Sequence, residues 1–139
     1  KAVNTEVRFD SPLESYTLYT APLRLQQVII NLLNNALKFT PEGGSIILSF
    51  EIDETDGYVL FSVTDTGCGI PDDKQELVFN RFVKLNEFVQ GTGLGLSICK
   101  LTIQQMGGDI WIDRNYKNGT RFVFSHPIKK REEENTEIQ

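Results

Sequence analysis

Pro22 and Pro41 bracket the most regular stretch of the chain, and what lies between them limits the folds available. Leu25, Val28, Ile29, Leu32, Leu33 and Ala36 recur at three- and four-residue spacing, the pattern of a helix with one apolar face. Pro22 suits a first turn, where its missing N–H costs nothing, and the helix is expected to end before Pro41. Such a stripe is buried only against a second apolar surface. Period-two segments supply it. SIILSFEID and YVLFSVTD flank ETDG, whose Asp56-Gly57 pair predicts a hairpin turn. DIWIDRNY and TRFVFSHP form a second hairpin across Lys117-Asn118-Gly119. VNTEVRF and ESYTLYT are shorter strand candidates, and a short helix is expected from Lys74 to Val78. LGLSICKLTIQQMGG reads as a second long helix closing at Gly107-Gly108. Together these elements predict one α+β domain, a two-layer α/β sandwich with a mixed, mostly antiparallel sheet and helices on one face. It spans residues 1–128, and the charged tail 129–139, KKREEENTEIQ, is expected to be disordered.

A chain of 139 residues, 40% hydrophobic, can bury such a core without disulfides or a structural metal. The net charge of −5 is spread along the chain and argues against nucleic-acid binding, which needs a basic face. Cys68 and Cys99 have no zinc-ligand pattern around them, which fits a reduced, cytoplasmic chain. No apolar run has membrane-spanning length and there is no signal peptide, so the chain is not expected to be membrane-inserted. Lys1 in place of Met fits a piece of a longer protein.

Against this framework NLLNNALKFT, residues 31–40, is an odd segment for a helix with a buried face. Asparagine competes for backbone hydrogen bonds and is a mediocre helix former. Asn31, Asn35 and Lys38 are nevertheless spaced i, i+4, i+7 on one stripe, with Asn34 pointing elsewhere. Stacked amides followed by a cation offer neutral oxygens to a hard ion such as Mg²⁺ and a point charge to phosphate. Two glycine clusters follow. In DTGCGI, Gly67 and Gly69 let backbone approach a flat ligand, with Asp65 as an acceptor at the end of a strand. In GTGLGLSICK, Gly91, Gly93 and Gly95 lead into a helix, where free N–H groups and the helix dipole favour phosphate. GTGLGL is not a P-loop, because no Gly-Lys-Ser/Thr follows, and no βαβ unit follows to support a dinucleotide fingerprint.

The order NLLNNALKFT, DTGCGI, VFNRFVKL, GTGLGLSICK resembles the catalytic, ATP-binding domain of sensor histidine kinases of two-component systems. These strings match the family's N box, first glycine box, F box and second glycine box, over roughly residues 3–128. The resemblance implies the Bergerat ATP-binding fold, shared with DNA gyrase B, mismatch-repair ATPases and large heat-shock chaperones. It implies that Asn35 ligates Mg²⁺, with Asn31 supporting the metal or its waters. Lys38 would meet the phosphates of ATP, Phe39 would lie against the nucleotide, and Asp65 would accept a hydrogen bond from the adenine amino group. Thr120 would reach Asp65 and adenine through water, and Lys84 would touch the terminal phosphate. Gly67, Gly69 and Ile70 would line the base. Gly91, Thr92, Gly93, Leu94, Gly95 and Leu96 would offer amides to the phosphates, and Val83 to Gln90 would form a short lid. Asn35, Lys38 and Lys84 are thus the expected catalytic residues.

The implied function is donation of the γ-phosphate of Mg·ATP to a histidine on a separate dimerisation domain, and onward transfer to a response-regulator receiver domain. The longer protein is expected to be anchored in the membrane, and this fragment to be monomeric. His126, the only histidine, stands beside Pro127 and reads as a structural residue at a strand end rather than a phosphoacceptor. An anti-sigma-factor-like serine kinase, a hydrolysing ATPase of the same superfamily and a nucleotide-binding module are the alternatives. The hydrolysing relatives carry a glutamate one turn before the metal-binding asparagine. Asn31 stands there, and an amide cannot act as a base.

Overall fold

The computed structural model describes residues 3–10, 18–79 and 95–128. In chain order these form β1 (Asn4–Asp10), α1 (Pro22–Phe39), β2 (Ser45–Asp53), β3 (Tyr58–Asp65), a 3₁₀ turn (Asp72–Lys74), α2 (Gly95–Gln105), β4 (Ile110–Ile112) and β5 (Thr120–Pro127). The sheet runs β1-β2-β3-β5-β4. β1 pairs with β2 in parallel and every other pairing is antiparallel. A parallel pair cannot be closed by a tight turn, and α1 lies in the crossover between β1 and β2. The mixed, mostly antiparallel sheet and the single helical layer are those expected from the pattern.

α1 begins at Pro22 and ends where Thr40, held extended by the following proline, still gives its N–H to the Ala36 carbonyl at 2.9 Å. Val28, Leu32 and Ala36, each one turn apart, face the sheet and are buried, while Leu23, Ile30 and Leu37 lie on the opposite, outward side. The sheet meets them with one face. Val59, Phe61, Val63 and Asp65 alternate along β3, in register with Ile46 to Ile52 of β2 and with Thr120, Phe122, Phe124 and His126 of β5. Phe61 and Phe124 stack with ring centroids 4.6 Å apart, and Phe50 meets Phe61 edge-on at 5.2 Å. Leu96, Cys99 and Ile103 of α2 complete the same core. α2 closes as expected: Gly108 N–H reaches the Ile103 carbonyl, Gly107 N–H reaches that of Gln104, and Gly107 has φ of 94°.

Three elements differ from the sequence reading. Of ESYTLYT, residues 14–17 lie outside the described residues, and Leu18 to Thr20 are not strand. No α-helix forms over Lys74–Val78. Pro71 and Asp72 instead accept from Lys74 and Gln75 in three-residue steps, giving a 3₁₀ turn at Asp72–Lys74. β4 is shorter than DIWIDRNY, because the Asp113 carboxylate takes the Asn115 N–H at 3.0 Å and bends the chain out of the ladder. The tail 129–139 lies outside the described residues. His126 is buried, its Nδ1 donating to the Pro127 carbonyl and its Nε2 bonded to Thr20 Oγ1, each at 2.8 Å. It ties β5 to the segment leading into α1, two residues before Pro22, in keeping with a structural role.

Because Leu32 is wholly buried where α1 meets the sheet, Leu32→Ala should lower the unfolding free energy by about 2–5 kcal/mol. Urea denaturation measures this, and a loss below about 1 kcal/mol would show that α1 is not packed on the sheet as described.

Candidate nucleotide-binding site

The alternation that buries Val59, Phe61 and Val63 also turns Asp65, the last residue of β3, toward the helix side of the sheet. Asp65 is 2% exposed, which leaves a carboxylate needing partners. Two main-chain amides supply them, both to the same oxygen: Oδ1 accepts from Gly67 at 2.9 Å and from Thr120 at 3.2 Å. Oδ2 has no hydrogen-bond partner among the described residues. Burial pushes the carboxyl above its ordinary range, and the two amides pull part of the way back.

Glycine is required around it by sterics. A Cβ on Gly67 would stand 2.3 Å from the Phe39 carbonyl oxygen, and one on Gly119 would stand 2.1 Å from that of Asp65. The end of α1, the end of β3 and the start of β5 therefore approach one another at backbone distance. Gly69, at φ of 76°, turns the loop back toward Gly119, and Ile70 packs against the rim of the core. Thr66 prolongs the β2–β3 pairing, its Oγ1 accepting from Ser45 N–H at 2.8 Å and its own N–H donating to Ser45 O at 3.1 Å. Tyr116 Oη donates to the Asp65 carbonyl at 2.9 Å.

On α1, Asn31 and Asn35 are half-buried and Lys38 is exposed one turn further on, while Asn34 points to solvent. Asn31 is anchored: its Oδ1 accepts from Gln27 Nε2 at 3.0 Å, and it lies beside the buried Cys99 thiol of α2, which donates to the Val28 carbonyl at 3.9 Å. Burial pushes that thiol up to about 11, with the Asn31 contact opposing the rise, so Cys99 is a neutral packing group. Phe39, half-buried, ends the helix beneath Gly67, and Thr120 is buried beside Asp65. The expected site residues Asn31, Asn35, Lys38, Phe39, Asp65, Gly67, Gly69, Ile70 and Thr120 thus come from one helix, two strand ends and the loop after β3. Thr120 meets Asp65 through its main-chain N–H, at 3.2 Å. Gly95 and Leu96 begin the described part of α2, and the Leu96 side chain belongs to the core. Lys84, Gly91, Thr92, Gly93 and Leu94, and the expected lid from Val83 to Gln90, lie outside the described residues. Tyr116 was missed, because the sequence around it signals only a hairpin connection.

This combination of layered fold, buried strand-end carboxylate and amide-lined helix defines a nucleotide-binding domain of one class. The family described as Histidine kinase-, DNA gyrase B-, and HSP90-like ATPase matches residues 20–130. The adaptive-response sensory kinase SasA of Nostoc sp. (strain PCC 7120 / SAG 25.82 / UTEX 2576) is 42% identical over 125 residues, covering 88% of this chain and 31% of that protein. The sensor histidine kinase WalK of Bacillus subtilis (strain 168) is 40% identical over 115 residues, covering 80% of this chain and 19% of that protein. Among solved structures, the catalytic domain of histidine kinase ThkA superposes with a TM-score of 0.78 at 34% identity, covering 91% of this chain and 79% of that one. ThkA in complex with the response regulator TrrA gives a TM-score of 0.75 at 32% identity, covering 91% of this chain and 34% of that one. The chain belongs to this ATPase family, as a catalytic domain of the sensor histidine kinase kind. It spans about a third or less of the curated relatives it matches.

The raised carboxyl of Asp65 has a consequence for stability. A folded value above the unfolded one, about 4, means that the group costs stability as pH rises through the folded value. The amide of Asp65→Asn can accept the same two N–H bonds without that cost. Thermal unfolding should therefore show Asp65→Asn to be more stable than the parent at neutral pH, with the gap closing as pH falls through the folded value toward about 4. A gap that widens on acidification would contradict the burial argument.

Proposed function

We propose that this chain holds Mg·ATP with the γ-phosphate directed outward, for attack by a histidine on a separate dimerisation domain. The γ-phosphorus–oxygen bond to ADP breaks as an imidazole nitrogen takes the phosphoryl group, and ADP leaves with the bond's electrons. A response-regulator receiver domain is the onward acceptor, and the site of action is cytoplasmic. No helix among the described residues is long and apolar enough to cross a membrane. A membrane anchor would belong to parts of the longer protein beyond this chain, and the isolated domain is proposed to be monomeric. The domain boundary at residue 128, with 129–139 as a tail, is part of the same reading.

The observation that carries the proposal is the half-satisfied Asp65 carboxylate. With Oδ1 occupied by two amides, Oδ2 is the acceptor for the exocyclic amine of adenine. Guanine has an oxygen at that place and would set two acceptors against each other. Phe39, Gly67, Gly69, Ile70 and Thr120 would frame the base, and Lys38 with Lys84 would meet the phosphates. Gly91 to Leu96 would add main-chain donors there.

The donor set fits Mg²⁺ held largely by its waters and the nucleotide. Among the described residues no group of three or more His, Cys, Asp or Glu side chains comes together, while Asn35, with Asn31 behind it, offers neutral oxygen beside Lys38. When bound, Mg²⁺ would neutralise phosphate charge, and the protein's contribution is positioning. A kinase is favoured over a hydrolase by α1 itself, which carries no acidic residue. Asn31, bonded to Gln27, offers an amide and no proton-accepting carboxylate at this position.

Titration should give tighter binding of ATP than of GTP. Asp65→Ala should cost ATP binding about 1.5–3 kcal/mol, the loss of one charge-assisted hydrogen bond. Equal affinity for the two nucleotides in the unmutated chain would overturn the base assignment. Alone, the chain should hydrolyse ATP hardly at all, since the missing general base is worth about 10²–10⁴-fold. Mixed with a dimerisation domain carrying its histidine, it should transfer acid-labile phosphate, and Asn35→Ala should abolish the transfer. Vigorous hydrolysis by the chain alone, or label on His126, would overturn the kinase reading.

A further inference from the structure

Tyr116 lies in the β4–β5 connection, outside all four motifs, yet its hydroxyl reaches the Asp65 main-chain carbonyl at 2.9 Å. The contact joins positions 51 residues apart at the last register pair of the β3–β5 ladder, Asp65 opposite Thr120. The turn that presents Tyr116 is built around Asp113. Its Oδ2 takes the Arg121 guanidinium at 2.7 Å, its Oδ1 takes the Asn115 N–H at 3.0 Å, and its carbonyl takes the Tyr116 N–H at 3.3 Å. Arg121 belongs to β5, so the turn is fixed to the strand that also delivers the Thr120 amide. The same connection touches the segment beyond Gly67, through Arg114 with Glu76 at 3.2 Å and Lys117 with Asp72 at 3.7 Å. Both pairs are exposed and contribute little individually.

We propose that Tyr116 is a positioning residue for base recognition. By holding the Asp65 peptide unit, it sets the side chain so that Oδ1 takes the Gly67 and Thr120 amides and Oδ2 is presented to the exocyclic amine. The inference rests on the reading of Asp65 as the group that contacts the base. A carboxylate at the end of a strand can swing with its own peptide unit, and recognition by one hydrogen bond tolerates a misplacement of only about 0.5 Å. The carbonyl is where that swing can be stopped. Gly119 leaves no space for a side chain against this same carbonyl, so the connection passes close enough for the hydroxyl to reach it. Partial burial and the negative charge of Asp65 hold the phenol above its ordinary value, which keeps the hydroxyl a donor through the neutral range.

Tyr116→Phe deletes only the hydroxyl of a half-buried side chain. ATP and GTP titrations of this variant, of the parent and of Asp65→Ala decide the matter, with amide exchange at Gly67 and Thr120 read in parallel. Tyr116→Phe should weaken ATP binding about three- to tenfold while GTP binding is unchanged, the loss expected for one neutral hydrogen bond acting through Asp65. Exchange at the two amides should quicken. Equal weakening toward ATP and GTP would mean that the hydroxyl serves only general stability, and an unchanged preference with Asp65→Ala impaired would remove Tyr116 from recognition. Both results overturn the inference. A full preference for ATP in Asp65→Ala would instead overturn the reading on which it rests.

Discussion

The site depends on a carboxylate placed where a leucine or valine would sit more comfortably. Asp65 continues the row Val59, Phe61, Val63 on the core side of β3, and burial raises the energy of its charged form. The cost is tolerable because two amides already point at Oδ1, from the loop after the strand and from the neighbouring strand. A carboxylate so arranged is held on one oxygen and open to a further donor on the other. That asymmetry gives a recognition group its direction, since a fully hydrogen-bonded carboxylate would gain nothing from a ligand.

Bringing the two amides to one atom sets the backbone around it. Gly67 crosses the Phe39 carbonyl and Gly119 crosses that of Asp65, at separations that exclude any Cβ. These approaches draw the end of α1 and the start of β5 onto the end of β3, so the helix that carries Asn31, Asn35 and Lys38 ends beside Asp65. The helix also has a structural obligation on that stripe. Asn31 accepts from Gln27 within α1 and lies beside the Cys99 thiol of α2, so this side chain is also part of the packing. A carboxylate there would face the interior beside a thiol whose burial already disfavours charge. Local packing therefore favours an amide at this position, as the proposed chemistry does.

Most of the architecture was legible because it follows from short-range periodicity. Val28, Leu32 and Ala36 at four-residue spacing, and the alternation along β3 and β5, each need one neighbour type and one face. The two long helices and both hairpins follow. Readings failed where a few local hydrogen bonds decide the outcome. The segment after Pro71 closed into three-residue turns instead of an α-helix, and Asp113 ended β4 early by capturing the Asn115 amide. In both places the apolar signal was short, and a polar or proline-led turn outweighed it.

By itself, the sequence determined the family, the order of elements and the chemical types available to the site: amides and a lysine on α1, a carboxylate at the end of β3, glycines beyond it. These are readable because motif spacing fixes residues on one element relative to each other. Only the tertiary structure decided how they are used. That both amides fall on Oδ1, that Thr120 acts through its backbone, that Asn31 belongs also to the helix interface, and that Tyr116 grips the Asp65 carbonyl all depend on strand register and on where a loop passes. Hydrogen-bond partners separated by tens of residues are set by the folded geometry of the backbone, and no local pattern encodes them.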